Sequence, residues 1–253
     1  MEFFVSESSI VRRIWGKADT VLFIFAGAAA EFALNKAVDW LYFTGRLPAD
    51  PLNRLFSTVT YARHIIFSEN ENALKTIDRM STIHKGVESA RGASIPDWAY
   101  RDVLYMLIDY SIRSYEVLER RLTLNEKEEV FDVFIRVGNR MDLKDLPGSH
   151  SEWLLSREQH LKENLIKSHY TKDLFKQYRK HLGMIRYILL IQVQSLITPE
   201  IVRTLLSFRS YSLIKPLILL YKGLRGIKLD SFMKELLLPE KYKAQIFELD
   251  VLV

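Results

Sequence analysis

The side chains best suited to chemistry in this sequence are one imidazole and a polar pair that precedes it. Arg54 and Thr58 are four residues apart, so on a helix they project from one face, with Tyr61 one turn further along. His84 follows in the next predicted helix, on a mostly apolar stripe that ends in Arg91. A guanidinium can hold a carboxylate bidentately, a Thr hydroxyl can position bound oxygen or water, and an imidazole is a common metal ligand. Such a set suits an iron-bound cofactor.

Each of these side chains also has an ordinary structural interpretation, and spacing alone does not choose between the two. An Arg in the first turn of a helix often pairs with a nearby acid, and Thr58 can simply pack. A His on an apolar helix face, such as His84, is more often a hydrogen-bonded core residue than a ligand. His64, next to Arg63, raises the same question, whereas His160 lies among charged residues and is expected in a solvent-facing turn.

Asp109 lies in an apolar predicted helix, where an unpaired carboxylate would be costly, so it needs a partner. Two partners are open. One is Arg113, four residues further along the same helix. The other is the second ring nitrogen of His84, which a carboxylate would orient.

Composition and missing motifs exclude several classes of site. The chain has no cysteine, which rules out disulfides, thiolate metal sites, iron–sulfur clusters and cysteine nucleophiles. It also lacks the GxSxG, GxxxxGK[ST], GxGxxG and HExxH motifs, and no two histidines are three or four residues apart. A haem held through a single histidine is compatible with all of these absences.

The formal charge of +5 comes mostly from cations that alternate with acids, as on a solvated helix surface, so no nucleic-acid partner is predicted. The C-terminal third is more one-sided. Few acids balance its cations, which are Arg203, Arg209, Lys215, Lys222, Arg225 and Lys228. A peripheral contact with a membrane surface or an anionic partner is therefore open. The N-terminal residues show no export signal, and we expect a cytoplasmic protein.

Helical periodicity dominates and no segment alternates as a strand does, which predicts an all-α fold in a single globular multi-helix domain over residues 1–253. Capping-box patterns begin two of the helices, at Thr123 and at Ser149. The predicted helices span residues 8–14, 18–34, 36–44, 51–67, 71–90, 96–121, 124–141, 150–168, 171–195, 199–207, 211–223 and 230–237.

The apolar stretch 21–43 is long enough to test as a membrane span. Glu31, Lys36 and Asp39 interrupt it within the roughly 20 residues that a span requires. A buried core helix that bends or breaks near Asn35 is the favoured interpretation.

Several short segments occur in an order and spacing that resemble a known family: residues 11–16, 27–29, 50–58, 83–87 and 108–116. That family is the MpaB and latex-clearing-protein (rubber oxygenase) family, formerly a bacterial and fungal domain of unknown function. The resemblance covers roughly residues 8–210.

The resemblance implies a globin-like helical core that encloses haem b, with oxidative chemistry on a hydrophobic substrate. It matches His84 to the family's proximal, axial iron ligand, and Arg54 and Thr58 to its pocket Arg-x-x-x-Thr pair. The rubber oxygenases place a lysine that can close the distal iron position immediately before that Thr, where this chain has Ser57. Glu31 is a weak candidate for their catalytic Glu. Without an export signal, polyisoprene is not the expected substrate.

We therefore expect a haem-dependent oxygenase that acts on a small or medium hydrophobic substrate with dioxygen. Arg54, Arg63 or Arg91 would lie at the haem's propionate edge, and Thr58 or an ordered water would be the distal donor. The alternative is a non-enzymatic helical haem or lipid binding protein.

Overall fold

The fold is all-α, as predicted. A computed structural model describes residues 2–45, 49–208, 216 and 218; in the fourth helix the side chains of residues 54 and 55 lie outside the description. Within this part of the chain there are no named strands, only isolated bridges between Phe3 and Glu69 and between Asn35 and Leu165. The helices are α1 (Ile10–Trp15), α2 (Ala18–Phe32), α3 (Val38–Phe43), α4 (Pro51–Phe67), α5 (Asn70–Arg91), α6 (Asp97–Leu118), α7 (Leu124–Arg140), α8 (His150–Glu163), α9 (His169–Ile197) and α10 (Glu200–Leu206).

Local sequence signals account for most of these helix boundaries. Thr123 and Glu126 form the predicted capping box at the start of α7. At α8 the prediction was half right: the Ser149 hydroxyl accepts from the Glu152 amide, but the Glu152 carboxylate accepts from the Gly148 amide instead of that of Ser149. The predicted helices at 211–223 and 230–237 lie outside the described residues, apart from positions 216 and 218.

The stretch 21–43 is a broken core helix, as the interrupting charges predicted. α2 ends at Phe32, and the turn before α3 is stabilised by Asn35, whose side-chain oxygen accepts from the Ala37 amide at 2.8 Å. The same turn is joined to the end of α8, because the Ile166 amide donates to the Leu34 carbonyl at 2.7 Å. No helix in the described part of the chain has the length and apolar character needed to cross a bilayer.

α2 packs along α6 at the centre of the molecule. The close approach depends on Gly27, because a Cβ atom built there would lie 2.3 Å from a ring carbon of Tyr110 and 3.0 Å from Ile197. Tyr110 is fully buried, and its hydroxyl donates to Glu31 at 2.8 Å, so its ring is held in place. Only a residue without a side chain lets the two helices reach this distance.

α4 and α5 form a helical hairpin that carries the predicted site residues. Only Ser68 and Glu69 separate the two helices, which pack against each other and therefore run roughly antiparallel. Arg54 lies about as many residues before the turn as His84 lies after it. Because a helix rises about 1.5 Å per residue, the backbone of each residue is roughly 20 Å from the turn. The hairpin register brings the backbone of Arg54 level with His84.

We expect Gly27→Ala to lower the free energy of unfolding by about 1–3 kcal/mol, because the added methyl group overpacks the contact with the Tyr110 ring. Gly86→Ala is the matched control: it lies in α5 with no neighbour within 4 Å of a built Cβ, and should raise stability by about 0.5–1 kcal/mol. Urea denaturation of both variants measures the difference. Equal stability of Gly27→Ala and the unsubstituted protein would refute the close-packing argument.

Candidate functional site

His84 lies on a half-buried stripe in the second half of α5. The fully buried side chains of α5, Ala73 and Ile77, are near its start. Beyond them, side chains three or four residues apart are neither buried nor fully exposed: Ser81, His84, Val87, Glu88 and Arg91. This spacing is that of one helix face. His84 is therefore on the inward face of α5, at a part of the helix that the core does not cover completely.

The ring of His84 contacts Tyr100, near the start of α6. The two rings meet edge to face with their centroids 5.2 Å apart. Glu88 holds this end of α6, because its carboxylate accepts from the Ile95 amide at 2.8 Å and from the Tyr100 hydroxyl at 3.3 Å. Burial and the Glu88 carboxylate raise the pKa of Tyr100, which therefore remains a neutral donor at physiological pH. The orientation of the ring beside His84 is thus fixed by a hydrogen bond.

Arg91 follows His84 by seven residues on the same face, about 10 Å along the helix. Its guanidinium pairs with Asp39 of α3 at 2.6 Å and lies over the Trp40 ring at 4.0 Å from the centroid. The other terminal nitrogen, Nη1, is buried and has no hydrogen-bond partner among the described residues. A buried N–H without an acceptor is costly, so this atom marks a place that an added carboxylate would complete.

The other predicted cations and hydroxyls of the site lie on α4. Ser57 and Thr58 are half-buried, and the side chain of Arg54 is outside the description. Arg63 is directed elsewhere: its Nη1 donates to the Trp15 carbonyl at 2.9 Å, and its guanidinium lies 5.2 Å from the centroid of the Phe67 ring. Arg91 thus lies on the face of His84 and has a buried, unsatisfied N–H, whereas the described contacts of Arg63 point towards Trp15 and Phe67.

His64 belongs to a different part of the hairpin. It is exposed at an open polar groove near the turn, with a volume of about 400 Å³. The groove is lined by side chains from the end of α4, the turn and the start of α5: His64, Ser68, Asn72, Lys75, Thr76 and Arg79. His64 and His84 therefore do not share a site.

Asp109 is bound by arginines and not by His84. Arg113 Nε donates to one carboxylate oxygen at 2.6 Å, as the structural alternative predicted, and Arg157 of α8 donates to the other at 3.1 Å. Tyr100, the contact of His84 on α6, precedes Asp109 by about two and a half turns, so the two side chains leave α6 on opposite sides. The hypothesis that Asp109 orients His84 was wrong for this geometric reason.

Arg157 also binds Glu31, the weak candidate for a catalytic acid. Its two terminal nitrogens donate to the two Glu31 oxygens at 2.5 and 2.6 Å, and Tyr110 donates to the same carboxylate. The side chains of Glu31 and Arg157 are only 1% and 5% exposed. Glu31 therefore neutralises a buried cation in this structure and has no oxygen directed at His84.

The electrostatics of this cluster follow from that pairing. Burial alone would raise the pKa of Asp109, but Arg157 and Arg113 outweigh it and hold the pKa of this carboxyl below its ordinary value. Burial, and then the Glu31 carboxylate, raise the pKa of Tyr110. The cluster is thus a set of fixed charges with a neutral phenol, which suits structural support better than proton transfer.

A second buried polar cluster joins α6 and the end of α8. Asp102 accepts from His160 through a very short contact, from Asn35 at 2.6 Å and from Asn164 at 3.0 Å. The prediction that His160 lies in a solvent-facing turn was wrong, because its side chain is only 11% exposed. The sequence neighbours of His160 are charged, but His160 and Arg157 lie on the face of α8 that is directed towards α6.

Sequence reasoning missed Arg157, although a signal existed. Glu31 and Asp109 each interrupt an apolar segment, and two buried acids require cations. On α8, Arg157 follows Trp153 by four residues, so the two share a face, and Trp153 is the buried aromatic of that helix. An arginine on the same helix face as a buried tryptophan was therefore the sequence signal that pointed to a buried cation.

A comparison with protein families identifies one relationship. Residues 12–211 match the model of the catalytic domain of the ER-bound oxygenases mpaB and B′ and of rubber oxygenase. The chain belongs to this family. No curated protein and no solved structure matches it significantly.

The matched range of this MpaB and rubber oxygenase family contains every part of the site. It includes the α4–α5 hairpin, Asp39 and the buried arginine of α8. Over residues 2–45 and 49–208, no three or more His, Asp or Glu side chains are grouped as a metal site would require. A haem makes a different demand on the protein, because the porphyrin supplies the equatorial ligands and one imidazole is enough to hold the iron.

We expect Arg157→Met to lower the free energy of unfolding by about 3–5 kcal/mol, because Glu31 keeps no cation and Asp109 keeps only Arg113. Arg140→Met is the matched control, since Arg140 also makes a bidentate contact, with Asp78, but at the solvent-exposed surface, and should cost much less stability. Chemical denaturation measures both. Similar losses in the two variants would show that the buried cluster contributes little.

The pH dependence of that variant has a definite sign. In the unsubstituted protein the folded-state pKa of Asp109 is depressed, so its contribution is lost as the pH falls below about 4. In Arg157→Met only Arg113 opposes the effect of burial on Asp109, so the folded-state pKa of this carboxyl is less depressed and less stability is lost as the pH falls below about 4. A variant whose stability falls on acidification as much as that of the unsubstituted protein would contradict the assignment.

Proposed function

We propose that this chain is a haem-dependent oxygenase that acts on a small or medium hydrophobic substrate, with His84 as the axial ligand of haem b. Family membership over residues 12–211 supports the oxygenase class. The observation that carries the cofactor assignment is the α5 face, where the half-buried His84 and the unsatisfied Nη1 of Arg91 project from the same side of one helix.

The residues around His84 fit a haem in character and in order. A haem requires an imidazole at the iron, an apolar slot and cations at its propionate edge. The ring of Tyr100 contacts His84, and Val87 lies about one turn further along the same face of α5. Phe43 contacts Arg91 while remaining 48% exposed. Arg91 would bind a propionate through Nη1, because Asp39 occupies the other side of its guanidinium.

The protein's own groups have separate roles in this proposal. A bound haem supplies the iron at which dioxygen is activated. The edge-to-face contact with Tyr100 fixes the plane of the His84 ring, and Thr58 contributes a hydroxyl that orients dioxygen or a water molecule. Ser57 stands where the rubber oxygenases have a lysine, so no amine at this position can occupy the distal side.

The purified protein should show a Soret absorption band, and His84→Ala should abolish it, because the iron loses its protein ligand. His64→Ala is the matched control, an exposed histidine of the same hairpin, and should leave the band unchanged. Added imidazole should restore the band of His84→Ala, and circular dichroism reports whether that variant is folded. A protein that stays colourless after reconstitution with haemin refutes the assignment.

Thr58→Val should lower oxygen consumption about 10–100-fold while the Soret band remains, because a positioned hydroxyl is lost without a change in volume. Thr60→Val is the control, since Thr60 is exposed and its hydroxyl only donates to the Phe56 carbonyl. Oxygen uptake is measured with ascorbate and a panel of apolar alkenes. Stable haem without any oxygen uptake in the unsubstituted protein would favour the non-enzymatic carrier.

A further inference from the structure

One face of α9 carries a row of exposed cations. Lys172, Lys176, Arg179 and Lys180 are at relative positions i, i+4, i+7 and i+8, so they project within a sector of about 100°. All of them are exposed, and none makes an ion pair with another described residue. The row is therefore a concentrated positive strip on the first half of α9.

The acid within this stretch does not neutralise the strip. Asp173 is half-buried, accepts from the Tyr42 hydroxyl at 2.9 Å and from the Gln177 side chain at 3.4 Å, and so faces α3. Two pairs on other helices show the contrast: Lys75 pairs with Glu71 and Lys162 with Glu158. The positive charge of α9 is thus available to an external anionic partner.

Exposed apolar side chains follow directly after the strip. Gly183 has φ 72° and ψ 171°, which interrupts the helical backbone, and α9 then continues. The next turn presents Met184 at 52%, Ile185 at 77% and Ile188 at 51% exposure. Large apolar side chains grouped at such exposure mark an interaction surface more often than a solvated one.

We propose that this surface of α9, formed by Lys172, Lys176, Arg179, Lys180, Met184, Ile185 and Ile188, docks onto an anionic phospholipid bilayer. The cations meet the phosphate and carboxylate groups of the lipids, and the apolar tip enters the interfacial region. A nucleic acid would use the cations but would leave the exposed isoleucines in water. A second copy of the chain would bring one positive strip against another.

The proposal concerns the surface of α9 and is independent of haem and of His84. It extends the earlier sequence expectation of a membrane contact, which rested on cations further along the chain. Of those, Arg203 donates to the Thr198 carbonyl at 2.6 Å, and the others lie outside the described residues. If both proposals hold, the protein binds to the membrane, in which hydrophobic substrates dissolve.

Co-sedimentation of the full chain with vesicles tests the proposal. Vesicles of phosphatidylcholine with phosphatidylserine should bind the protein, and vesicles of phosphatidylcholine alone should bind it much more weakly. Replacing the four cations of the strip by Gln should weaken partitioning about fivefold per cation. The matched control removes four exposed cations from other surfaces by the substitutions R13Q, K75Q, R79Q and R121Q, and should bind nearly as well as the unsubstituted protein.

A second variant tests the apolar part of the surface. Ile185→Ser with Ile188→Ser should weaken binding to anionic vesicles and leave the fold unchanged, as circular dichroism can verify, because both side chains are more than half exposed. No binding to anionic vesicles, or equal losses in the α9 and control charge variants, would overturn the proposal. Tighter binding to an oligonucleotide duplex, unaffected by the isoleucine substitutions, would overturn it as well.

Discussion

The structure depends on one buried cation, Arg157, and on the carboxylates that surround it. Its guanidinium binds Glu31 of α2 and Asp109 of α6, so a single side chain of α8 joins that helix to the central pair α2 and α6. Removing these charges from water is costly, and the pairing offsets that cost only while all partners are in place. The arrangement therefore specifies one packing of α2, α6 and α8, reinforced by the close contact at Gly27.

The candidate site is built outside this rigid centre. His84 and Arg91 lie on the second half of α5, which is only half-covered, and contacts with α6 through Tyr100 and with α3 through Asp39 hold that part in place. The position of α3 depends on the turn at Asn35. The Asn35 side chain donates to Asp102, and the backbone of this turn is hydrogen-bonded to the end of α8. Fixed charges support the core, and the face of α5 that carries His84 and Arg91 is less completely covered.

Local interactions explain which parts of the fold could be predicted. Helix periodicity, the Thr123 capping box and the charges that interrupt the segment 21–43 act within a few residues, and the corresponding helices, cap and break are present. The pairing of Asp109 with Arg113 spans one turn and was also within reach. His160 was misjudged because its neighbours in sequence are charged, whereas its environment is set by Asp102, in another helix.

The sequence alone determined the helical class, the approximate positions of the helices within the described residues and the membership of an oxygenase family, because periodicity and motif order are properties of the chain. It also identified His84 and Arg91 as residues of one helix face. Only the tertiary structure decided which charges meet: that Glu31 and Asp109 share Arg157, and that Arg91 is held by Asp39 with one N–H unused. Such contacts join residues far apart in the chain, and their formation depends on how whole helices pack rather than on any local pattern.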